Sequence, residues 1–221
     1  MKKVTAVIVA AGEGRRIGSS KQFALLRGRS VLDWSLAVFD QHPRITDVIL
    51  VLPDEALGKK FMSAHGKLRA VVRGGAERQD SVFRGFLELD PRRTEIVLIH
   101  DGARPLVSGA LIRRVIRETE KHGACVPGIP LEDTVKRVDG GLIVRTLDRS
   151  KLSRIQTPQG FSYALLKRAF ARAWADNFYG TDDASLVERL GEKVVVTEGD
   201  PKNIKITTLL DLKLAEVHLE D

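Results

Sequence analysis

Short apolar, β-branched runs recur along the chain at 4–10 (VTAVIVA), 47–52 (DVILVL), 69–73 (RAVVR), 95–99 (EIVLI), 124–129 (ACVPGI) and 193–197 (KVVVT). Between most of them, polar and apolar positions follow helical spacing, as in 31–39, 81–89, 110–121 and 164–175. Runs this short read as strands buried on both faces, and the amphipathic segments as the helices that cover them. Such alternation predicts a Rossmann-like three-layer α/β sandwich with a mostly parallel sheet. One segment breaks the pattern. Residues 134–147, TVKRVDGGLIVRTL, read as two alternating strands around Asp139-Gly140-Gly141, a hairpin signal. A hairpin has no obvious pairing partner in an α/β chain, so residues 134–150 are expected to form an arm that packs on a second copy, giving a homodimer. No internal repeat, linker or low-complexity tract interrupts the chain, and residues 1–221 are expected to form a single domain that carries this arm.

In a parallel sheet, ligands bind beyond the carboxyl ends of the strands. The unusual loops all follow strands at that end: AAGEGRRIGSSKQ after the first, RGGAERQDS after the third and HDGARP after the fourth. The first combines Gly12 and Gly14 with Arg15, Arg16 and Lys21, so that backbone amides and cations can wrap phosphates. It is neither a Walker loop nor a G-x-G-x-x-G fingerprint, since Gly18 falls one position late. In the second loop, Ser81 could cap a helix or bond a ligand. In the third, Asp101 could hold Mg²⁺ together with substrate phosphates, Arg104 could take a phosphate bidentately, or the two could simply brace a turn as an ion pair. Residues 203–207, NIKIT, read as an apolar strand with one lysine, and 181–183, TDD, as a helix start. Tyr163-x-x-x-Lys167 has the spacing of short-chain dehydrogenases in the wrong context and is read as chance.

Charge adds a constraint. Lys and Arg number 36 against 29 Asp and Glu, a formal +7, which invites a nucleic-acid reading. The basic residues are scattered, however, and aromatics are only 5% of the chain, leaving few platforms for base stacking. A small anionic ligand is the better match. One cysteine, Cys125, excludes an internal disulfide and a cysteine-built zinc site, which suits a reducing cytoplasm. The N-terminal MKKVTAVIVAAGEG runs straight into a glycine turn and reads as a first strand, not a signal peptide. No apolar run approaches the about 20 residues of a membrane span.

Seven ordered motifs, AAGEGRRIGSSKQF, GGAERQDSV, HDGARP, EDTVKR, TPQGF, TDDAS and PKNIKIT, closely resemble the 2-C-methyl-D-erythritol 4-phosphate cytidylyltransferases of the non-mevalonate isoprenoid pathway. The first two are shared with wider nucleotidyltransferases; EDTVKR, TPQ and NIKIT narrow the match. The resemblance implies transfer of CMP from CTP to a polyol phosphate with release of pyrophosphate and with Mg²⁺ or another divalent metal. By position, Arg16 and Lys21 match residues that stabilise the transition state, and Arg149 and Lys205 those that position the attacking phosphate. Asp101 matches the carboxylate near metal and substrate. Arg104 and Thr134 match polyol-phosphate contacts, and Thr157 and Thr181 further substrate-side positions. Cytosine would be read by backbone around Ala10, Ala11, Gly12 and Gly14 and by Gly75, Ala76 and Ser81, with Arg78 also on the substrate side. Ser20 stands where many members have proline, and Glu132 where Arg or Lys is more usual.

Displacement at phosphorus needs in-line positioning and neutralisation of charge more than covalent help. A phosphate oxygen is already an anionic nucleophile, in keeping with five scattered histidines that form no catalytic set. A ribitol 5-phosphate cytidylyltransferase is the nearest rival. A dinucleotide oxidoreductase is disfavoured because Pro53, not an acidic residue, follows the second strand.

Overall fold

The computed structural model describes residues 2–12 and 21–220. In chain order the elements are β1 (Val4–Val9), a small antiparallel pair β2 (Leu25–Leu26) and β3 (Arg29–Ser30), α1 (Val31–Gln41), β4 (Ile45–Leu52), α2 (Lys59–Ala64), β5 (Leu68–Arg73), α3 (Arg78–Leu87), β6 (Ile96–Asp101), α4 (Gly109–His122) and β7 (Ala124–Pro130). The hairpin strands β8 (Lys136–Asp139) and β9 (Leu142–Thr146) follow, then β10 (Ser153–Ile155), β11 (Gln159–Ser162), α5 (Tyr163–Ala175), α6 (Ala184–Glu188), β12 (Val195–Glu198) and α7 (Leu209–His218).

The central sheet runs β5-β4-β1-β6-β11-β7-β12, with β10 continuing the β11 edge along the far end of β7. β1, β4, β5 and β6 are mutually parallel, as is the β7–β12 pair, whereas β10 and β11 run antiparallel to their neighbours. Alternation along β1 sorts the core into two layers. Val4, Ala6 and Ile8 face α1, α2 and α4, where they meet Leu36, Phe39, Phe61 and Ile112. Val7 faces α3, α5 and α6, among Val82, Phe86, Phe170 and Leu186. The predicted three-layer sandwich is therefore present, built around β1, β4 and β6, which are buried almost throughout, as their continuous apolar runs require.

Two expectations are corrected. Residues 203–207 join no strand; they are held by single bonds, such as the Ile206 amide donating to the Ala103 carbonyl at 2.8 Å. The helix after the second loop starts at Arg78, not Ser81, because Glu77 and Asp80 form its capping box. The arm strands β8 and β9 pair only with each other, and every residue of both is exposed.

Candidate active site

Residues 10–12 and 21–22, on either side of the first loop, converge with the loops after β5 and β6 at the carboxyl edge of the sheet. Close backbone approach requires the glycines there: a Cβ on Gly74 would lie 2.3 Å from the Ala11 Cβ, and one on Gly75 2.2 Å from the Asp80 Cβ. The Ser81 hydroxyl accepts from the Gly75 amide (3.0 Å) and donates to the Glu77 carbonyl (3.1 Å), so it fixes the turn and does not cap the helix. On the other side, buried Gln22 donates to the carbonyls of Ala10 (2.9 Å) and Gly12 (3.2 Å), which sets Lys21 at the rim of the same hollow. A cavity of about 200 Å³ results, lined by Ala10, Ala11, Gly12, Lys21, Gly75, Ala76, Arg78, Ser81, Asp101 and Lys205 among others. Gly14 and Arg16 lie outside the described residues.

A second cavity, of about 410 Å³, opens beside it and includes Arg104, Gln156, Thr157, Gln159, Thr181 and Asp182. The two cavities share Arg78, Asp101 and Lys205. Asp101 is the hub of that junction. Its Oδ2 lies 2.7 Å from Lys205 Nζ, its Oδ1 accepts from Arg78 Nε at 3.2 Å, and Arg104 Nε stands 3.9 Å from Oδ2. Arg78 also donates through Nη2 to Asp183 Oδ2 at 2.8 Å. Burial alone would raise the Asp101 pKa, but Arg78, Lys205 and Arg104 outweigh it and hold the group well below the usual carboxylate range. Asp183 moves the other way, because burial outweighs the pull of Arg78. Three cations therefore face two carboxylates, leaving a surplus of positive charge where the cavities meet.

The backbone behind Asp101 is held by a directed chain of hydrogen bonds. The Arg104 carbonyl can only accept, so His100 Nε2 carries the proton and donates to it at 3.2 Å. His100 Nδ1 then accepts from the Thr157 hydroxyl at 3.0 Å, and that oxygen accepts the Asp101 amide at 3.1 Å. Burial pushes the His100 pKa down to about 3, so the ring is neutral and serves as a spacer. Thr157 is 5% exposed with its hydroxyl turned inward, so a substrate could reach only the rest of the residue. Lys205 is placed by its neighbours: the Asn203 side-chain amide donates to the Thr157 carbonyl at 2.8 Å, and Arg104 donates to the Asn203 carbonyl at 2.8 Å.

Thr134 and Arg149 are not brought to this junction. Both are exposed at the base of the arm, where Arg149 donates to the Glu132 carbonyl, and neither lines the cavities around Asp101. Sequence reasoning missed Asp183, His100 and Asn203 as members of the site; all three lay inside quoted motifs, but only the fold shows them buried there. Among the described residues no three His, Cys, Asp or Glu side chains gather as a metal site, and no helix is long and apolar enough to cross a membrane.

The family model of IspD, 2-C-methyl-D-erythritol 4-phosphate cytidylyltransferase, matches residues 4–221. The chain belongs to this family. A curated relative of that name from Syntrophotalea carbinolica is 44% identical over 98% of this chain and 96% of its own, and one from Symbiobacterium thermophilum is 43% identical over 99% and 93%. Among solved structures, the 4-diphosphocytidyl-2C-methyl-D-erythritol synthase of Anaerococcus prevotii superposes with a TM-score of 0.88 at 35% identity, covering 100% of this chain and 97% of its own. The 2-C-methyl-D-erythritol 4-phosphate cytidylyltransferase of Thermus thermophilus does so with 0.82 at 37%, covering 100% of both. This IspD-family chain is accordingly a CTP-dependent cytidylyltransferase of isoprenoid precursor synthesis, and the ribitol 5-phosphate alternative is not favoured.

Proposed function

We propose that this chain transfers CMP from CTP to 2-C-methyl-D-erythritol 4-phosphate at the junction of its two cavities, with CTP in the one bounded by Gly12, Lys21 and Gly75 and the acceptor in the one bounded by Arg104, Thr157 and Thr181. The observation that carries this reading is the sharing of Arg78, Asp101 and Lys205 by both cavities, which puts cations where two phosphorylated substrates must touch. An acceptor phosphate oxygen attacks the α-phosphorus of CTP, the bond to the α–β bridging oxygen breaks, and its electron pair leaves with pyrophosphate. No proton has to be removed from the nucleophile. Arg16 and Lys21 would neutralise charge growing on the nucleotide side, and Lys205 would exchange Asp101 for the acceptor phosphate. Cytosine would be read by backbone groups of residues 10–12, 14, 75 and 76, with Ser81 holding that backbone in place.

The donor set is compatible with Mg²⁺ carried by the nucleotide. This cation commonly takes one or two carboxylates plus phosphate oxygens, and Asp101, the carboxylate that both cavities share, would hold it once Lys205 turns away. Bound there, Mg²⁺ would supply further neutralisation of the triphosphate.

The arm supports a homodimer in which Thr134 and Arg149 complete the partner's acceptor site. Val138, Leu142, Ile143 and Val144 on it are 53–75% exposed, an apolar surface more suited to burial against a second copy than to solvent. A cytoplasmic location fits a lone, buried Cys125 whose pKa burial pushes up to about 12, an inert thiol. Pyrophosphate release from CTP, followed with each acceptor and with none, tests the substrate reading. Release is expected with 2-C-methyl-D-erythritol 4-phosphate and only background with ribitol 5-phosphate; comparable release with ribitol 5-phosphate would overturn it.

A further inference from the structure

Asp183 is a carboxylate at the junction that lines neither cavity. It is 1% exposed and immediately precedes α6, yet its side chain makes no capping bond to that helix. Capping is done by others: Gln159 Oε1 accepts the amides of Asp183 and Ala184 at 3.1 Å each, and Asp182 Oδ1 accepts the amide of Ser185 at 3.0 Å. A buried carboxylate is costly unless it is paired and hydrogen-bonded, and the partner here is Arg78, 105 residues away in the chain. Arg78 in turn spans two carboxylates, with Nε on Asp101 and Nη2 on Asp183.

We propose that Asp183 is a positioning residue for the transfer: it holds the Arg78 guanidinium on Asp101 and keeps it from turning onto the phosphates of bound nucleotide. The proposal rests on the assignment of the first cavity to CTP. Arg78 borders that cavity, and a guanidinium pairs readily with phosphate in a bidentate manner. With Asp101 as its only anchor, Arg78 would face a polyanion that competes for it. Asp183 is a second anchor, out of reach of either substrate, that tips the competition towards the observed position. If Arg78 left, Asp101 would keep only Lys205, at 2.7 Å, and the more distant Arg104, at 3.9 Å, for neutralisation, and would hold that lysine more firmly back from the acceptor phosphate. Arg78 on the nucleotide would meanwhile stabilise the ground state, which tightens binding without speeding the reaction.

Asp183→Asn should therefore separate binding from turnover. The expected result is a CTP dissociation constant, by calorimetry, that is unchanged or lower, with kcat reduced about tenfold or more. Arg78→Lys keeps the charge but loses the fork that spans two carboxylates, so it should show the same split. If Asp183 acts only through Arg78, adding Asp183→Asn to Arg78→Lys should lower kcat by no more than about twofold. A wild-type kcat in either single variant, or CTP binding weakened in step with kcat, would overturn the proposal. So would effects that multiply in the double variant. Thermal unfolding establishes that each variant is folded; should Asp183→Asn fail to fold, the Arg78→Lys result decides alone. Lys205→Ala separates the two levels. A slow Lys205→Ala beside a fully active Asp183→Asn refutes only the role of Asp183, whereas a fully active Lys205→Ala refutes the reading of the junction itself.

Discussion

Lys205→Ala is expected to lower kcat by about 10²–10³, the usual loss when one preorganised donor to a developing charge is removed. The backbone that carries Lys205 does not depend on the lysine side chain: the Ile206 amide bonds to the Ala103 carbonyl, and Asn203 is anchored to the Thr157 carbonyl. The variant should fold with an unfolding midpoint close to that of the parent. Its electrostatics should not survive. Lys205 is the shortest contact to Asp101, at 2.7 Å, and its loss leaves Arg78 and Arg104 against Asp101 and Asp183, so the positive surplus at the junction disappears. Since the acceptor phosphate would approach from that side, KM for the acceptor should rise while CTP binding stays near the parent value. Steady-state pyrophosphate release with each substrate varied in turn reads all three quantities. A kcat within about threefold of the parent would show that the junction is not the place of transfer.

Lys21→Ala is expected to cost a comparable factor, about 10²–10³ in kcat, with a different signature. Lys21 opens a short 3-10 turn, Lys21–Phe23, whose Gln22 is locked onto the Ala10 and Gly12 carbonyls and whose Phe23 packs on the core. Removing the lysine head should leave that turn in place. Because Lys21 lines the cavity proposed for CTP and not the one proposed for the acceptor, the loss should fall on turnover of bound CTP and leave the acceptor KM unchanged. A raised acceptor KM with normal kcat would move Lys21 to the wrong side of the reaction.

The strands of the parallel region were legible because their runs are long and apolar enough to be buried on both faces, as in Ile45–Leu52 and Ile96–Asp101. From them the three loops at the carboxyl edge followed, and with them Lys21, Arg78, Asp101 and Arg104 at one place. Strands β10 and β11 were not legible. They hold three and four residues, SRI and QGFS, too few for an alternation to register, yet they line the edge of β7, and β11 separates that strand from β6. The NIKIT segment misled in the opposite sense: apolar residues alternate there because Ile206 is buried under α7, not because a neighbouring strand pairs with it. Asp183 could not be picked out locally, since an acidic residue before a short helix reads as a cap and its partner Arg78 is supplied by a distant element. The arm was visible from Asp139-Gly140-Gly141, and positive φ angles of 53° and 81° at the two glycines explain why that turn needs them. Its two-residue shift in start, 136 against 134, changes nothing in that reading.

The central claim is that each site joins the Asp101–Lys205 junction of one chain to the arm of another, and subunit mixing tests it most directly. Arg149→Ala and Lys205→Ala homodimers, each slowed by about 10²–10³, are unfolded together and refolded in equal amounts. Random pairing makes half of the dimers mixed, each with one site that keeps both residues, so recovery of about a quarter of the parent activity is predicted. Activity that stays at the level of the separate variants would contradict the account, because it would mean that Arg149 serves the junction of its own chain or none.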